Sequence, residues 1–228
     1  MKSIINYKNL IKLIAVFILF YCSSLFQYIP KFIFNFDINQ ISNNTKILLS
    51  IFSNICVLLI LIILYHKDLI KDIKKLKKKL LYTMDSSFKY YLFGVLGMIV
   101  SNIVIGLLLK DNGPNNEKLV QQMITISPIL MFINAGLIAP IIEELVFRKS
   151  YMDTFKNKWL FVILSGFVFG LMHVITSSNS IYEYLYLIPY MSLGVSFAYM
   201  DYKHNNIFPS IFMHIFHNSI LVILSVFI

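Results

Sequence analysis

Glu143 and Glu144 are adjacent at the end of a long apolar run, and they are two of only four glutamates in the chain. Arg148 follows, the single arginine among twenty basic residues. On a helix, Glu144 and Arg148 are four positions apart and share a face. Glu143 lies about 100° round the helix from that pair. Two neighbouring carboxylates do not both ionise cheaply unless a cation neutralises one of them. A planar, permanently charged guanidinium suits that task better than a lysine ammonium. The expected product is one paired, structural glutamate, Glu144, and one available base, Glu143. Pro140 lies three residues before Glu143 and leaves the carbonyl of Gly136 without its helical donor, which predicts a kink beside a cavity.

Further polar groups fall inside later apolar runs. His173 ends the stretch Phe169-Gly170-Leu171-Met172-His173, in which Phe169 reads as a packing wall. His214 and Asn218 are four apart on the last run, with His217 beside them as a supporting candidate. Taken singly, each is an ordinary packed or interfacial residue. Together they are costly, since one ionisable residue within a membrane costs ~2.5–3.5 kcal/mol even on a lenient scale. As a set they suit peptide hydrolysis. A carboxylate deprotonates water, a histidine positions it and passes the proton to the leaving amine, and His and Asn donors hold the oxyanion. Ser165, Ser192 and Ser210 have no evident base in the sequence, so no serine nucleophile is expected.

These groups need elements to hold them, and composition says which. Of 228 residues, 58% are hydrophobic and 14% charged, with a mean hydropathy of +0.74. Soluble domains average about 25% charged residues. The excess apolar surface must face lipid, which excludes a soluble, disordered or disulfide-scaffold class. Unbroken apolar runs without alternation predict helices rather than a barrel. The expected fold is all-α, a polytopic membrane helical bundle of about seven transmembrane helices, within a range of six to eight. The runs are 13–29, 47–65, 90–109, one centred on 130–142, 159–175, 184–200 and 207–228. Two regions follow: a transmembrane part over 1–127 with a basic cytoplasmic loop at 66–89, and a catalytic helical core over 128–228.

The net charge of +9 sits between the apolar runs, as orienting charge does, so no nucleic acid partner is expected. With the N-terminus in the cytoplasm, sixteen basic residues (Lys2 among them) fall inside and four outside. The stretch from 67 to 80 reads as an orienting helix. Leu69, Ile73, Leu76 and Leu80 share one of its faces and lysines the other, with an anionic-lipid patch as the second reading. Asp111, Asn112, Gly113 and Pro114 predict a turn. Cys22 and Cys56 read as buried free thiols.

Counting also places the polar groups. If 136–158 and 159–176 form an antiparallel hairpin turning near Lys158, Glu143 and His173 each lie fifteen residues from the turn, at ~22 Å depth. His214 is ten residues from a second turn near His204, about 15 Å deep at the same rise. One common site within the membrane is possible only if the helix bearing Glu143 runs on to about Phe155.

The stretch Glu143-Glu144-Leu145-Val146-Phe147-Arg148 resembles the E-E-x-x-x-R motif of the CPBP family, which contains CAAX prenyl proteases, bacteriocin-processing enzymes and the "abortive infection" membrane proteins. Phe169 to His173 resembles its F-x-x-x-H motif, and His214 to Asn218 its H-x-x-x-N/D motif. The likeness covers about 128–219. It implies a glutamate-type intramembrane endopeptidase with Glu143 as base, Glu144 and Arg148 beside it, His173 as the middle histidine, and His214 and Asn218 at the oxyanion. One position departs: the family often has glycine after the arginine, and this chain has Lys149.

The expected localisation is the cell membrane, multi-pass. Expected partners are membrane lipids and a peptide or membrane-associated protein substrate; the chain's oligomeric state is not legible in the sequence. No cofactor is expected. One alternative is a zinc-dependent hydrolase using His173, His214 and a glutamate, although H-E-x-x-H spacing is absent. Another is a non-catalytic bacteriocin-immunity or scaffold protein, or a proton-coupled transporter built on the same carboxylates.

Overall fold

The computed structural model describes residues 4–37, 40–110, 113–178 and 180–227. Lys2, Asp111, Asn112 and Ile228, which entered the orientation, turn and last-run expectations, lie outside the described residues. The described chain is all-helical. Its helices are α1 (Tyr7–Tyr21), α2 (Tyr28–Phe34), α3 (Asn43–Lys77), α4 (Leu80–Leu109), α5 (Asn115–Ile126), α6 (Pro128–Thr154), α7 (Lys158–Ile175), α8 (Leu187–His204) and α9 (Phe208–Phe227). Five are long and apolar enough to cross a membrane, or six if α1 and the segment Ser23–Phe34 count as one bent span.

The upper count of six falls within the expected six to eight, and two of the seven runs fall short of a straight span for physical reasons. The first run breaks at Cys22 into a short 3-10 segment (Ser23–Gln27) and α2, bent by 50°. Pro30 there has no N–H to continue the ladder. The run expected over 184–200 begins in a second 3-10 segment (Ile181–Tyr186). As α8 it ends in Asp201, Lys203 and His204, and is too polar to qualify by composition. The basic stretch 66–89 is helical, as read for 67–80, rather than a loop. Helix α3 runs on through Lys77, and only Lys78 and Lys79 separate it from α4. Its shared face is also only half buried: Leu76 packs inward and Leu69 flanks the core, while Ile73 and Leu80 are exposed. Cys22 and Cys56 are free and each partly exposed rather than buried.

Local sequence explains the ends. Ser42 accepts from Thr45 N at 3.2 Å and Asn157 from Leu160 N at 3.0 Å, so α3 and α7 start on side-chain caps. Asn205 ends α8 in the left-handed region at φ 45°, a conformation asparagine tolerates. Asn206 and Asp72 then fix the entry to α9. Asn206 Nδ2 donates to Asp72 O at 2.7 Å, and Ile207 N donates to Asp72 Oδ2 at 3.3 Å. The N-terminus is clipped to the α6–α7 turn: Asn6 N donates to Thr154 O at 2.9 Å, and Lys156 N to Ile4 O at 3.0 Å.

Burial is inverted relative to a water-soluble protein. Leu92, Phe93, Leu96, Ile103, Leu107 and Leu108 of α4 are exposed, whereas Glu144, Arg148, Asp201, Ser210, His214 and His217 are buried. That arrangement suits a lipid solvent. The principal core joins Val57, Leu61 and Tyr65 of α3 to Ile142 and Leu145–Phe147 of α6, Phe169 of α7 and Ile211 of α9. Phe147 is its centre, meeting Phe17, Phe20 and Phe169 edge to face at 6.3, 5.3 and 5.7 Å.

Helix α8 packs on both α7 and α4. The α7–α8 crossing depends on Gly166 and Gly194, whose backbones nearly touch. A Cβ on Gly166 would stand 2.6 Å from Val195 Cγ2 and 2.7 Å from Val195 N. One on Gly136 would meet nothing nearer than Ser219 Oγ at 3.4 Å. Gly166→Ala is therefore expected to destabilise the detergent-solubilised protein by about 1–3 kcal/mol through overpacking. Gly136→Ala should leave its thermal unfolding nearly unchanged.

Candidate active site

Helix α6 carries the acidic pair, and it is not a regular α-helix. It widens into π-turns at Phe132–Ile138 and Glu144–Lys149. Such turns release carbonyls from the helical ladder and recur at functional sites. Neighbouring side chains take up those carbonyls. Asn218 Nδ2 donates to Ala135 O at 3.0 Å, Ser219 Oγ to Gly136 O at 3.4 Å and Ser165 Oγ to Phe147 O at 2.7 Å. Ser150 Oγ bonds to Val146 O. The Gly136 carbonyl, which loses its donor to Pro140, thus finds one on α9. A polar ladder, Asn54–Asn134–Ser50, fixes the first π-turn to α3, at 2.7 and 3.2 Å.

The second π-turn holds the charged cluster. Glu144 and Arg148 are fully buried. Glu144 Oε2 lies 3.2 Å from Arg148 Nε, a close charge contact rather than an aligned hydrogen bond. The guanidinium lies 4.1 Å from the Phe169 ring centre and 5.5 Å from that of Phe197, and its Nη2 reaches Gly194 O at 3.4 Å. The glycine crossing of α7 and α8 is what brings that carbonyl within reach.

Glu144 Oε1 accepts from His214 Nδ1 at 2.7 Å. A carboxylate only accepts, so Nδ1 carries the proton and Nε2 faces the other way. It faces Glu143, with Nε2 3.7 Å from Oε2. His173 approaches the same oxygen from α7, its Nε2 at 3.9 Å. His173 Nδ1 donates to Phe169 O at 2.9 Å, which fixes its tautomer in the same way. Glu143 Oε2 is buried and has no hydrogen-bond partner among the described residues. Phe197 stacks on His214 at 4.9 Å, and Phe169 and Tyr190 flank His173 at 4.4 and 4.7 Å.

Five of the six sequence-predicted residues, Arg148, Glu144, His214, Glu143 and His173, thus form one connected cluster. Asn218 lies one turn along α9 with its amide engaged by Ala135 O. His217 is buried and pairs through Nδ1 with Tyr91 Oη at 3.1 Å, away from the glutamates. No group of three or more His, Cys, Asp or Glu side chains among the described residues is arranged to hold a metal ion.

Sequence reasoning missed Asp201. It is fully buried, accepts from Ser210 Oγ at 2.7 Å and from Ser210 N at 3.2 Å, and lies within electrostatic range of Arg148. Ser210, read as lacking an acidic neighbour, therefore has one; the contact caps the start of α9 and orients the helix that carries His214. An aspartate directly after an apolar run was the available signal, a weak one because polar residues follow it. Tyr190 and Phe197 carried none, since an aromatic residue in such a run is unremarkable.

A family model described as "Type II CAAX prenyl endopeptidase Rce1-like" matches residues 125–220, the stretch that contains this whole cluster. An uncharacterised protein of Mycoplasma capricolum subsp. capricolum is 32% identical over 69% of this chain and 48% of its own length. The Bacillus subtilis (strain 168) protein named "Putative membrane peptidase YdiL" is 26% identical over 60% of this chain and 48% of its own. UPF0177 protein YbdI of Lactococcus lactis subsp. lactis is 33% identical over 60% of this chain and 75% of its own. The chain spans about half the length of the first two relatives. No solved structure matches it. With its multi-pass helical fold, the chain belongs to the Rce1-like type II CAAX prenyl endopeptidase (CPBP) family.

Proposed function

We propose that the chain is an intramembrane endopeptidase that hydrolyses a peptide bond by glutamate-activated water. The observation that carries this reading is the convergence of His173 Nε2 and His214 Nε2 on one unpartnered oxygen of Glu143. Glu143 takes a proton from water while the water oxygen attacks the carbonyl carbon. His173 Nε2, which faces the same oxygen, orients that water. The tetrahedral oxyanion is held by donors on α9, namely His214 Nε2 and the Asn218 carboxamide. Donation from His214 Nε2 requires the imidazolium, whose Nδ1–H stays on Glu144 Oε1 while the oxyanion supplies the opposing charge. Asn218 contributes through its second amide hydrogen, the first being given to Ala135 O. The proton held by Glu143 passes through His173 to the leaving nitrogen, and the C–N bond breaks to give a carboxylic acid and an amine.

The substrate is a peptide or the end of a membrane-associated protein, since the base lies among membrane helices. The N-terminus lies in the cytoplasm on the balance of positive charge. The N-terminal helices support the core, and the residues from 128 onward carry the chemistry.

Peptide pools of the host, compared between wild type and Glu143→Gln at equal membrane levels, test the reading. Peptides produced only by the wild type are expected; identical pools would leave a non-catalytic immunity or scaffold role. Chelation by o-phenanthroline should not stop production of those peptides in isolated membranes. Loss that returns on adding zinc would instead support the metal-dependent alternative. Arg148 neutralises Glu144, so Arg148→Met should cost about 3–5 kcal/mol by stranding a buried carboxylate. The Glu144→Gln/Arg148→Met double variant should lose less than the two single losses together, read from thermal unfolding in detergent.

A further inference from the structure

His173 has an environment that the proposed chemistry does not by itself explain. Its Nδ1 is tied to Phe169 O, one turn back on its own helix. One such bond fixes the tautomer but leaves the ring free to tilt about it. Phe169 covers one face at 4.4 Å with an interplanar angle of 49°. The second face is covered from another helix, by Tyr190 of α8, at 4.7 Å and 32°. The distance between the two helices is fixed next to this contact, because a Cβ on Gly170 would stand 3.0 Å from Met191 N and 3.1 Å from Leu187 O.

Tyr190 is itself held. Its hydroxyl donates to Glu117 Oε1 at 3.3 Å, and Asn116 is a second hydrogen-bonding neighbour. Both belong to the first turn of α5. That turn is in turn stitched to the segment after α7: Asn115 Nδ2 donates to Ser177 O at 3.3 Å and to Glu183 Oε1 at 2.9 Å, and Ser177 Oγ donates back to His173 O at 3.3 Å. A closed circuit of contacts therefore runs from α5 through Tyr190 to His173 and back along α7. Glu117 precedes the stretch that matches the family model, 125–220, so the circuit reaches the histidine from outside it.

We propose that Tyr190, anchored by Glu117, is a positioning residue for His173. The ring sets the plane of the imidazole so that Nε2 points at Glu143 Oε2. The Glu117 carboxylate keeps the ring in place. Helix α5 thus completes the active site without touching the reacting atoms. A phenylalanine at 190 would supply the face but not the anchor, which is why the hydroxyl matters. The catalytic meaning of the contact rests on the endopeptidase reading; the contact itself does not.

The test uses the full chain in detergent micelles, labelled with 15N at histidine. Only five histidines are present, and His173→Gln assigns the signal of interest. In the wild type, the His173 signal should show a single Nδ1–H tautomer, with ring protons displaced upfield by two aromatic faces. Tyr190→Leu should lose part of that displacement and broaden the signal, while the bond to Phe169 O keeps the proton on Nδ1. Tyr190→Phe and Glu117→Gln should keep the mean displacement but broaden the signal. The His214 and His217 signals should stay in place in all three. An unchanged His173 signal in Tyr190→Leu overturns the proposal, as does an equal disturbance of all three histidines, which would mark a general loss of packing. If Tyr190→Leu does not fold, sharp and unshifted His173 signals in both milder variants overturn it.

Cleavage is read alongside, as the peptides that separate wild type from Glu143→Gln. Production should fall on the order of tenfold in Tyr190→Leu, in keeping with the sensitivity of catalysis to small misplacement, and by less in the milder variants. If Glu143→Gln changes no peptide while the His173 signal responds as described, the endopeptidase reading fails and the positioning contact stands.

Discussion

A fully buried carboxylate in a membrane protein must be neutralised by a fixed partner, and Glu144 governs much of what surrounds it. Arg148, one turn on, supplies the charge, but its guanidinium then needs neighbours of its own. Phe169 and Phe197 give it aromatic contact and Gly194 a carbonyl, with the Asp201 carboxyl farther off. Each comes from a helix other than α6. The second carboxylate oxygen recruits His214 from α9. One charged pair therefore fixes the relative placement of α6, α7, α8 and α9. The glycine crossing of α7 and α8 follows from the same need, since Arg148 reaches the Gly194 carbonyl only where those backbones nearly touch.

The π-turns solve a related problem. A straight α-helix would bond its carbonyls internally and offer none sideways. By widening at Phe132–Ile138 and Glu144–Lys149, α6 exposes carbonyls to hydroxyls and an amide from its own next turn and from helices α7 and α9. In lipid these groups have no water to fall back on, so each released carbonyl needs a protein donor. Serines and an asparagine inside apolar helices meet that demand. Their presence is structural first, even where, as at Asn218, a catalytic task is proposed as well.

What could be read from the sequence divides along physical lines. Glu144 with Arg148 is a contact within one helix, and spacing alone places it. Glu143 and His173 are legible because a short turn between two helices fixes their depth by counting, and α6 ends at Thr154 with α7 starting at Lys158. His214 needed a second hairpin and a rougher estimate. The remainder is long-range. Nothing local says that Asp201 caps α9, that Asn218 is spent partly on Ala135, or that Tyr190 of α8 lies on His173. The break at Cys22, and the continuity of α3 from its apolar run into the lysine-rich helix, were missed for a different reason. Hydropathy marks where a chain is apolar, not where its backbone bends or continues as helix beyond the apolar run.

Lys149 shows how such long-range terms absorb a local departure. It stands where the family resemblance often has glycine, directly after Arg148, and it is buried. An unpaired ammonium there would be costly next to a guanidinium. Instead its Nζ meets Asp153 Oδ1 at 2.7 Å and Asp68 Oδ2 at 3.6 Å. Asp153 is one turn on along α6, and its carbonyl accepts from Asn9 of α1 at 2.7 Å. Asp68 comes from α3, where the Tyr65 ring also receives Lys12 of α1 at 3.7 Å from its centre. A side chain that would strain an isolated core is thereby converted into a tie between α6 and helices α1 and α3. Helix α3 lies outside the family-matched stretch, yet its Asp68 adds to the counter-charge of Asp153 that lets α6 carry two adjacent cations. The N-terminal part and the core are consequently coupled through electrostatics as well as packing, so the cluster around Glu143 depends on residues far from it in sequence.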